Sequence, residues 1–321
     1  MSDPVAVARR SSGGPPAWVF VEEFASFSDV RNATTATGVT SAGRPVTVSF
    51  ELVDPPGVSR WSVHCPGLKK DRGFNGSPQI LNAAGAFVDE ETTYDAVVLH
   101  SPTKAVAAGG GGSLAWIDLW HGVLLCTWLD DGQPVLRLIQ WPMPPPRRGV
   151  PIEASLVELR DATMTSDGAI KFVELRLRYD GPSPSYFSMD ASAGDRGWTA
   201  TVWKRHIGSG YGWGVGFKAD TYNVFADDSR SRLVRRMRDE DGVDLNKMVT
   251  AGPRLSLHDE DVVYMEAKSS TDPSDPTALV LAINAREERL EAAQQIPSRA
   301  CFSTFPQCTF SRFLDTSPGC L

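Results

Sequence analysis

Apolar and polar residues alternate along short stretches of the chain. Between residues 46 and 53, every second position is apolar, namely Val46, Val48, Phe50 and Leu52. Because successive side chains of a strand point to opposite faces, this period of two predicts a strand with one buried face. Comparable runs bounded by turn residues predict further strands at 18–27, 60–64, 79–88, 94–100, 155–160, 170–179, 198–203, 215–217, 262–267 and 278–283.

The middle of the chain contains three runs in succession, at 116–120, 122–129 and 134–141. His121 and Gly122 separate the first run from the second, and an Asp-Gly pair at 131–132 precedes the third. Such residues are typical of tight turns between antiparallel strands, so this part predicts an antiparallel meander. A second hairpin is predicted where 165–168 separates the runs 155–160 and 170–179.

Residues 116–126, the apolar segment 134–139 and the prolines at 142–146 look like the central signature of a plant family expanded in grasses, domain of unknown function 1618. Residues 31–36, 50–56 and 63–67 are similar to the amino-terminal half of that family, and 255–264 resembles its last third. The resemblance implies a β-rich, propeller-like body of the kind attached to F-boxes. It supplies no catalytic residues that could be carried over to this chain.

We therefore predict an all-β fold, a propeller-like arrangement of antiparallel meanders whose number of blades no internal repeat reveals. One domain should span 18–314, between a flexible leader at 1–17 and a tail at 315–321. Helix propensity favours a helix at 285–295, but continuation of the meander favours a strand at 290–296, and the resemblance decides for the strand.

Three segments are predicted to connect strands or to lie at the surface. The glycine run within 105–112 favours a flexible connector, because ordering glycines in a strand or helix is entropically costly. The alternative is a phosphate-binding loop, but the run lacks the Gly-Lys-Ser/Thr ending of such a loop. The prolines within 142–149 favour a rigid spacer over a ligand of SH3 domains. The arginines within 227–240 are flanked by acids, which favours a solvated surface over a nuclear import signal or a nucleic-acid patch.

Composition and charge narrow the possible partners. Of the 321 residues, 41% are hydrophobic and 22% are charged, which is typical of an ordered globular protein. The formal net charge of −7 opposes binding to nucleic acid or to an anionic membrane, since both need an excess of Lys and Arg. We therefore expect a protein partner.

Cysteine content and hydropathy suggest where the protein resides. The five cysteines are odd in number, scattered, and without the paired spacing of a zinc site, so we expect a reducing compartment and no bound metal. No stretch has the apolar length of a signal peptide or of a membrane span. The expectation is a monomer in the cytoplasm or nucleus, without a cofactor.

Asp118 is the strongest candidate for a residue of a binding or catalytic site. A strand over 116–120 would place it on one face with Trp116 and Trp120, beside His121, and an acid between aromatic rings can build a carbohydrate site. The alternative is that the tryptophans pack the core while Asp118 binds backbone groups of the turn.

A protein-interaction module is the preferred hypothesis, because the sequence shows none of the common catalytic motifs and four histidines stand alone. They are His64, His100, His206 and His258. Tyr211 and Trp213 lie in the glycine-rich segment 208–214, which favours projection of both rings as partner contacts. The alternative is that both rings fold back onto the core. No catalytic residue is predicted for the chain.

Overall fold

Strands dominate the structure, a computed structural model, which confirms the predicted all-β class. The model describes residues 18–22, 25–39, 44–66, 103–108, 113–127, 135–143, 159–165, 167–178, 197–207, 212–226, 237, 245–268, 278–296 and 307–308. Four small, mainly antiparallel sheets form a ring in a 4-blade, propeller-like arrangement. We number the sheets as blades 1 to 4 in chain order. The leader and tail predicted at the two ends lie outside the described residues.

Blade 1 joins strands from both ends of the chain. Its order is β18-β1-β5-β4-β3, and β2 pairs with β5. The pairings of β1 and β2 with β5 are parallel, and the others are antiparallel. The strands are β1 (Val19–Val21), β2 (Ser26–Phe27), β3 (Ala36–Val39), β4 (Pro45–Glu51), β5 (Val58–His64) and β18 (Gln307–Cys308).

Blade 2 contains the predicted central meander. Its four antiparallel strands follow one another in chain order, so each is joined to its neighbour directly. They are β6 (Lys104–Ala107), β7 (Leu114–Asp118), β8 (Gly122–Thr127) and β9 (Val135–Gln140). The prediction of three strands is confirmed, whereas the prediction of a connector over 105–112 is wrong for 105–107. Those residues pair with β7, which offsets the weak strand propensity of alanine.

Blades 3 and 4 repeat the same meander. Blade 3 contains β10 (Arg160–Met164), β11 (Ala169–Leu177), β12 (Trp198–His206) and β13 (Gly214–Asp220), followed by helix α1 (Thr221–Ala226). A short 3₁₀ helix (Leu245–Lys247) precedes blade 4, which contains β14 (Val249–Leu255), β15 (Val262–Lys268), β16 (Ala278–Asn284) and β17 (Arg289–Ile296).

Some predicted elements differ from the observed ones. The strand predicted at 290–296 is confirmed as β17. Of the strand predicted at 155–160, residues 155–158 lie outside the described residues, and strand β10 begins at Arg160. Its polar residues are buried, which hides the period of two. Strands β3 and β14 and helix α1 were not predicted. The strands predicted at 79–88 and 94–100, and all but Met237 of 227–240, lie outside the described residues.

Apolar clusters fill the spaces between neighbouring blades. Ile117 and Trp141 of blade 2 pack with Phe172 of blade 3, while Val173 of blade 3 packs with Met265 of blade 4. Neighbouring residues of β11 thus face different blades, because alternate side chains of a strand point in opposite directions. Burial on both faces explains why β11 lacks a solvent-facing polar row over most of its length. A third cluster joins blade 4 to blade 1 through Trp18, Phe20, Tyr264 and Val280.

Asp161 links the first strands of three blades. Strand β10 packs against both β6 and β14, so the first strands of blades 2, 3 and 4 adjoin. Asp161 is buried, and it accepts a hydrogen bond from Lys104 Nζ at 2.7 Å and one from the backbone N–H of Leu255 at 3.0 Å. One carboxylate therefore satisfies donors from blades 2 and 4 at once.

A second polar contact joins blades 3 and 4 at their surface. Lys171 is buried and donates from Nζ to the backbone oxygen of Glu260 at 2.5 Å. Its burial lowers the pKa of Lys171. Lys204 lies 3.0 Å from Asp167 and 3.5 Å from Glu260, so the turn between β10 and β11 is tied to the turn between β14 and β15.

As the pH falls, the free energy of unfolding is expected to decrease less for Asp167→Asn than for the wild type. The hydroxyl of Thr165, followed by Lys204, lowers the pKa of Asp167 from 3.8 to about 2. A carboxyl group with a lowered pKa stabilises the fold above its ordinary pKa, and this contribution is lost as the pH falls through the folded value. Urea titrations between pH 4 and pH 2 should show a flatter pH profile for Asp167→Asn.

The effect should stay below about 1 kcal/mol, because the side chain is exposed enough for solvent to screen the ion pair. Asp29→Asn, at an exposed position of blade 1, is the control. A profile for Asp167→Asn that matches those of the wild type and the control would contradict the assignment.

Candidate functional site

The turn between β7 and β8 is organised around Asp118, whose side chain is fully buried. One carboxylate oxygen accepts the backbone N–H of Trp120 at 2.7 Å and that of His121 at 3.3 Å. The other lies 2.8 Å from Nδ1 of His121, which acts as the donor because an ionised carboxylate only accepts. Asp118 therefore closes the turn that follows its own strand, as aspartate commonly does.

Neighbouring strands fix the turn from outside. The indole N–H of Trp141 donates to the backbone oxygen of Asp118 at 2.8 Å, and Arg160 Nη1 donates to that of Leu119 at 3.1 Å. Gly122 has a φ of +143°, and a Cβ atom there would lie 2.2 Å from the backbone oxygen of Ile139. Only glycine fits this position, and the turn is anchored to β9 and to blade 3.

The same turn exposes two side chains. Trp120 is 49% exposed, and the His121 side chain is 43% exposed. The backbone N–H groups of both residues are bound to Asp118, so their Cα positions are fixed while their rings reach solvent. The arrangement is a rigid turn that presents an aromatic ring and an imidazole.

The three residues of the carbohydrate hypothesis occupy different environments. Trp116 is buried in blade 2 and Asp118 is buried in the turn, whereas Trp120 lies beyond the end of β7 and is half-exposed. The period of two therefore does not extend to Trp120, because the strand ends at Asp118. Both oxygens of Asp118 already accept hydrogen bonds inside the turn, in line with the alternative structural interpretation. A glycan site here stays a prediction that this geometry does not favour.

The second predicted contact involves Tyr211 and Trp213. Tyr211 lies outside the described residues, and Trp213 is half-buried. The indole N–H of Trp213 donates to the backbone oxygen of Gln140 at 2.8 Å, and its ring centroid lies 5.7 Å from that of Trp141. Trp213 thus joins blade 3 to blade 2, and its role as a partner contact stays a prediction.

A chain of polar contacts leads from the turn to the surface of blade 3. Arg160 is fully buried, and its Nη2 donates to Oε1 of Glu174 at 2.7 Å. The second oxygen of Glu174 accepts a hydrogen bond from Nε of Arg176 at 3.1 Å. The Arg176 side chain is 58% exposed, whereas that of Glu174 is only 8% exposed. The carboxylate is therefore enclosed between two guanidinium groups, of which only one reaches solvent.

Sequence reasoning missed the roles of Arg160, Glu174 and Arg176. The alternation within 170–179 puts Glu174 and Arg176 on the side opposite Val173, which a hairpin with one buried face would turn to solvent. In the ring, that side packs against blade 2, so Glu174 needs a buried partner. Arg160 and Glu174 lie opposite each other across β10 and β11. Their opposite charges could have predicted the ion pair, but only once the register of the two strands was known.

The part of the chain that the structure describes contains no group of three His, Cys, Asp or Glu side chains placed to hold a metal ion. None of its helices has the length and apolar character needed to cross a membrane.

Comparison with known proteins yields one match. Residues 116–264 match the model of a family described as "Protein of unknown function (DUF1618)", which confirms the resemblance found in the sequence. The match runs from β7 into β15 and includes the Asp118 turn, Arg160 and β11. The segments before residue 116 that resemble the family lie outside the matched range. No curated protein and no solved structure matches the chain.

Proposed function

From the match of residues 116–264 to a family of unknown function, we propose that the chain is a non-catalytic protein-interaction module. Its contact site is the turn between β7 and β8, which presents Trp120 and His121. We further propose that the module acts inside the plant cell, in the cytoplasm or nucleus, as a monomer that binds another protein, and the resemblance to a plant family supports this proposal.

The observation that supports this proposal is a half-exposed tryptophan on a turn whose backbone is fixed from several sides. Tryptophan is enriched among the residues that dominate binding energy at protein interfaces. A contact residue that is already held in place loses little conformational entropy on binding. Asp118, Trp141 and Arg160 supply that fixation here.

The charged groups near the turn have structural partners, which favours a binding role over chemistry. Asp118 holds the turn, Glu174 is paired with Arg160 and Arg176, and Asp161 connects blades. Carboxylates used in this way stabilise a rigid scaffold. On rigid scaffolds, binding is commonly provided by the turns and loops at their surface.

Trp120→Ala is expected to abolish capture of the partner. The tagged wild type and the variant would be incubated with a plant cell extract, and captured proteins would be quantified by mass spectrometry. Loss of a buried tryptophan contact weakens binding by about 2 kcal/mol or more, or about thirtyfold, which suffices to lose a partner of moderate affinity on washing.

The matched control is Tyr222→Ala, since Tyr222 on α1 is 48% exposed and lies on a different element. Trp213→Ala tests the other predicted contact. Proteins that are captured equally by the wild type and Trp120→Ala would contradict the assigned site. If Trp213→Ala loses them instead, the contact lies in the segment before β13.

A further inference from the structure

We propose that the surface formed by Trp120, His121 and Arg176 binds an acidic peptide segment with an apolar residue. We call these three residues the basic tryptophan surface. The apolar residue would contact Trp120, a carboxylate of the peptide would contact Arg176, and a backbone N–H of the peptide would donate to Nε2 of His121. This inference rests on the proposed function and names the class of partner.

The contacts on either side of Arg160 place the two parts of this surface close together. Arg160 donates from Nη1 to the backbone oxygen of Leu119 and from Nη2 to Glu174, which in turn accepts from Arg176. Together with the widths of the guanidinium and carboxylate groups between them, these three hydrogen bonds keep Nε of Arg176 within roughly 13 Å of the backbone oxygen of Leu119. A peptide of a few extended residues can cover that distance, since each residue adds about 3.3 Å.

The acidic and the basic side chains in this region differ in how far they are buried. The carboxylates of Asp118 and Glu174 are almost entirely removed from solvent, whereas the side chains of His121 and Arg176 are 43% and 58% exposed. Solvent therefore meets the guanidinium of Arg176 here rather than these two carboxylates, on a chain whose net charge is −7. An acidic segment is complementary to this surface, and a basic segment would meet the exposed Arg176.

The Arg176 guanidinium suits a carboxylate in its geometry as well as in its charge. Nε of Arg176 is bound to Glu174, so the guanidinium is oriented while its side chain remains open to solvent. The planar fork of arginine matches a carboxylate better than an ammonium does. Nδ1 of His121 faces Asp118, which orients the imidazole ring. Between these groups, the Trp120 ring provides apolar contact area.

The test uses the full chain and an array of synthetic peptides. Each peptide carries a central leucine, phenylalanine or tryptophan flanked by Glu and Asp, by Lys and Arg, or by Ser and Gly in varied order. The wild type is expected to bind mainly peptides with acidic flanks. Fluorescence anisotropy of the strongest binder should show affinity that falls as salt is added, because screening weakens contacts between exposed charges.

Single substitutions test which residues of the surface contact the peptide. Trp120→Ala is expected to weaken binding of that peptide at least about thirtyfold, and Arg176→Gln about tenfold, since it removes a charge-assisted contact. Arg286→Gln should leave binding unchanged, because Arg286 is an equally exposed arginine paired with an acid, Asp261, in blade 4. Near-ultraviolet circular dichroism of each variant checks that the fold is retained.

Two results would overturn the inference. One is an array in which acidic flanks give no more binding than neutral or basic ones, or no binding at all. The other is equal affinity of the wild type and Arg176→Gln for the acidic peptide. If either occurs while capture from the extract still depends on Trp120, the proposed function stands and only the class of partner is wrong. If capture is also independent of Trp120, both proposals fail.

Discussion

Replacing Glu174 by alanine is expected to lower the free energy of unfolding by about 3 to 5 kcal/mol. Glu174 pairs with Arg160 at 2.7 Å, and the Arg160 side chain is fully buried. The variant retains this buried guanidinium and removes its carboxylate. Because desolvation of an uncompensated charge is costly, the loss should far exceed that for an ion pair at the surface. Urea titration followed by tryptophan fluorescence measures the difference.

Two comparisons isolate the cause. The double variant Arg160→Met/Glu174→Leu removes both charges and should recover much of the loss, since apolar residues of similar volume often replace a buried ion pair without penalty. Glu287→Ala removes an exposed partner of Arg289, where both side chains are at least 40% exposed, and should cost no more than about 1 kcal/mol. Equal losses for Glu174→Ala and Glu287→Ala would show that Arg160 does not depend on Glu174.

Gly122→Ala is expected to lower the free energy of unfolding by about 2 to 5 kcal/mol. Two effects combine at this position. A φ of +143° is strained for any residue with a side chain, and the added Cβ would lie 2.2 Å from the backbone oxygen of Ile139. That oxygen belongs to β9 and cannot rotate away as a flexible side chain would. The turn and β9 must therefore separate.

Gly168→Ala is the matched control, because Gly168 also has a positive φ, +76°, but nothing lies within 4 Å of the Cβ position. Gly168→Ala should lower the free energy of unfolding only through backbone strain, by about 1 to 2 kcal/mol. Thermal and urea unfolding of both variants give the comparison. If Gly122→Ala proves no more destabilising than Gly168→Ala, the close approach of β8 and β9 at the turn is not as tight as described.

Gly122→Ala also bears on the proposed contact site. Displacing the turn would move Trp120 and His121 relative to Arg176, since the turn is connected to Arg160 through Leu119. A folded Gly122→Ala protein should therefore lose affinity for the acidic peptide although all three contact residues are retained. Unchanged affinity would indicate that a fixed turn is not needed for binding.

The local pattern of the sequence was sufficient for the class of fold and for many strands. Alternation in 46–53 predicted β4, and the central runs predicted β7, β8 and β9, because side chains of a strand alternate and glycine marks its turns. It was less informative for β10, where Arg160 and Asp161 are buried and the residues show no period of two. Of the strand predicted at 155–160, residues 155–158 lie outside the described residues.

The sequence by itself determined the all-β class, the meanders and the family resemblance, because each depends on residues that are close along the chain. Only the tertiary structure decided that there are four blades, that Asp118 is enclosed while Trp120 is exposed, and that Glu174 lies between Arg160 and Arg176. These features depend on which face of one blade meets the next. Residues such as Leu119 and Arg160, 41 positions apart, come into contact only when the ring forms, and no local pattern encodes that contact.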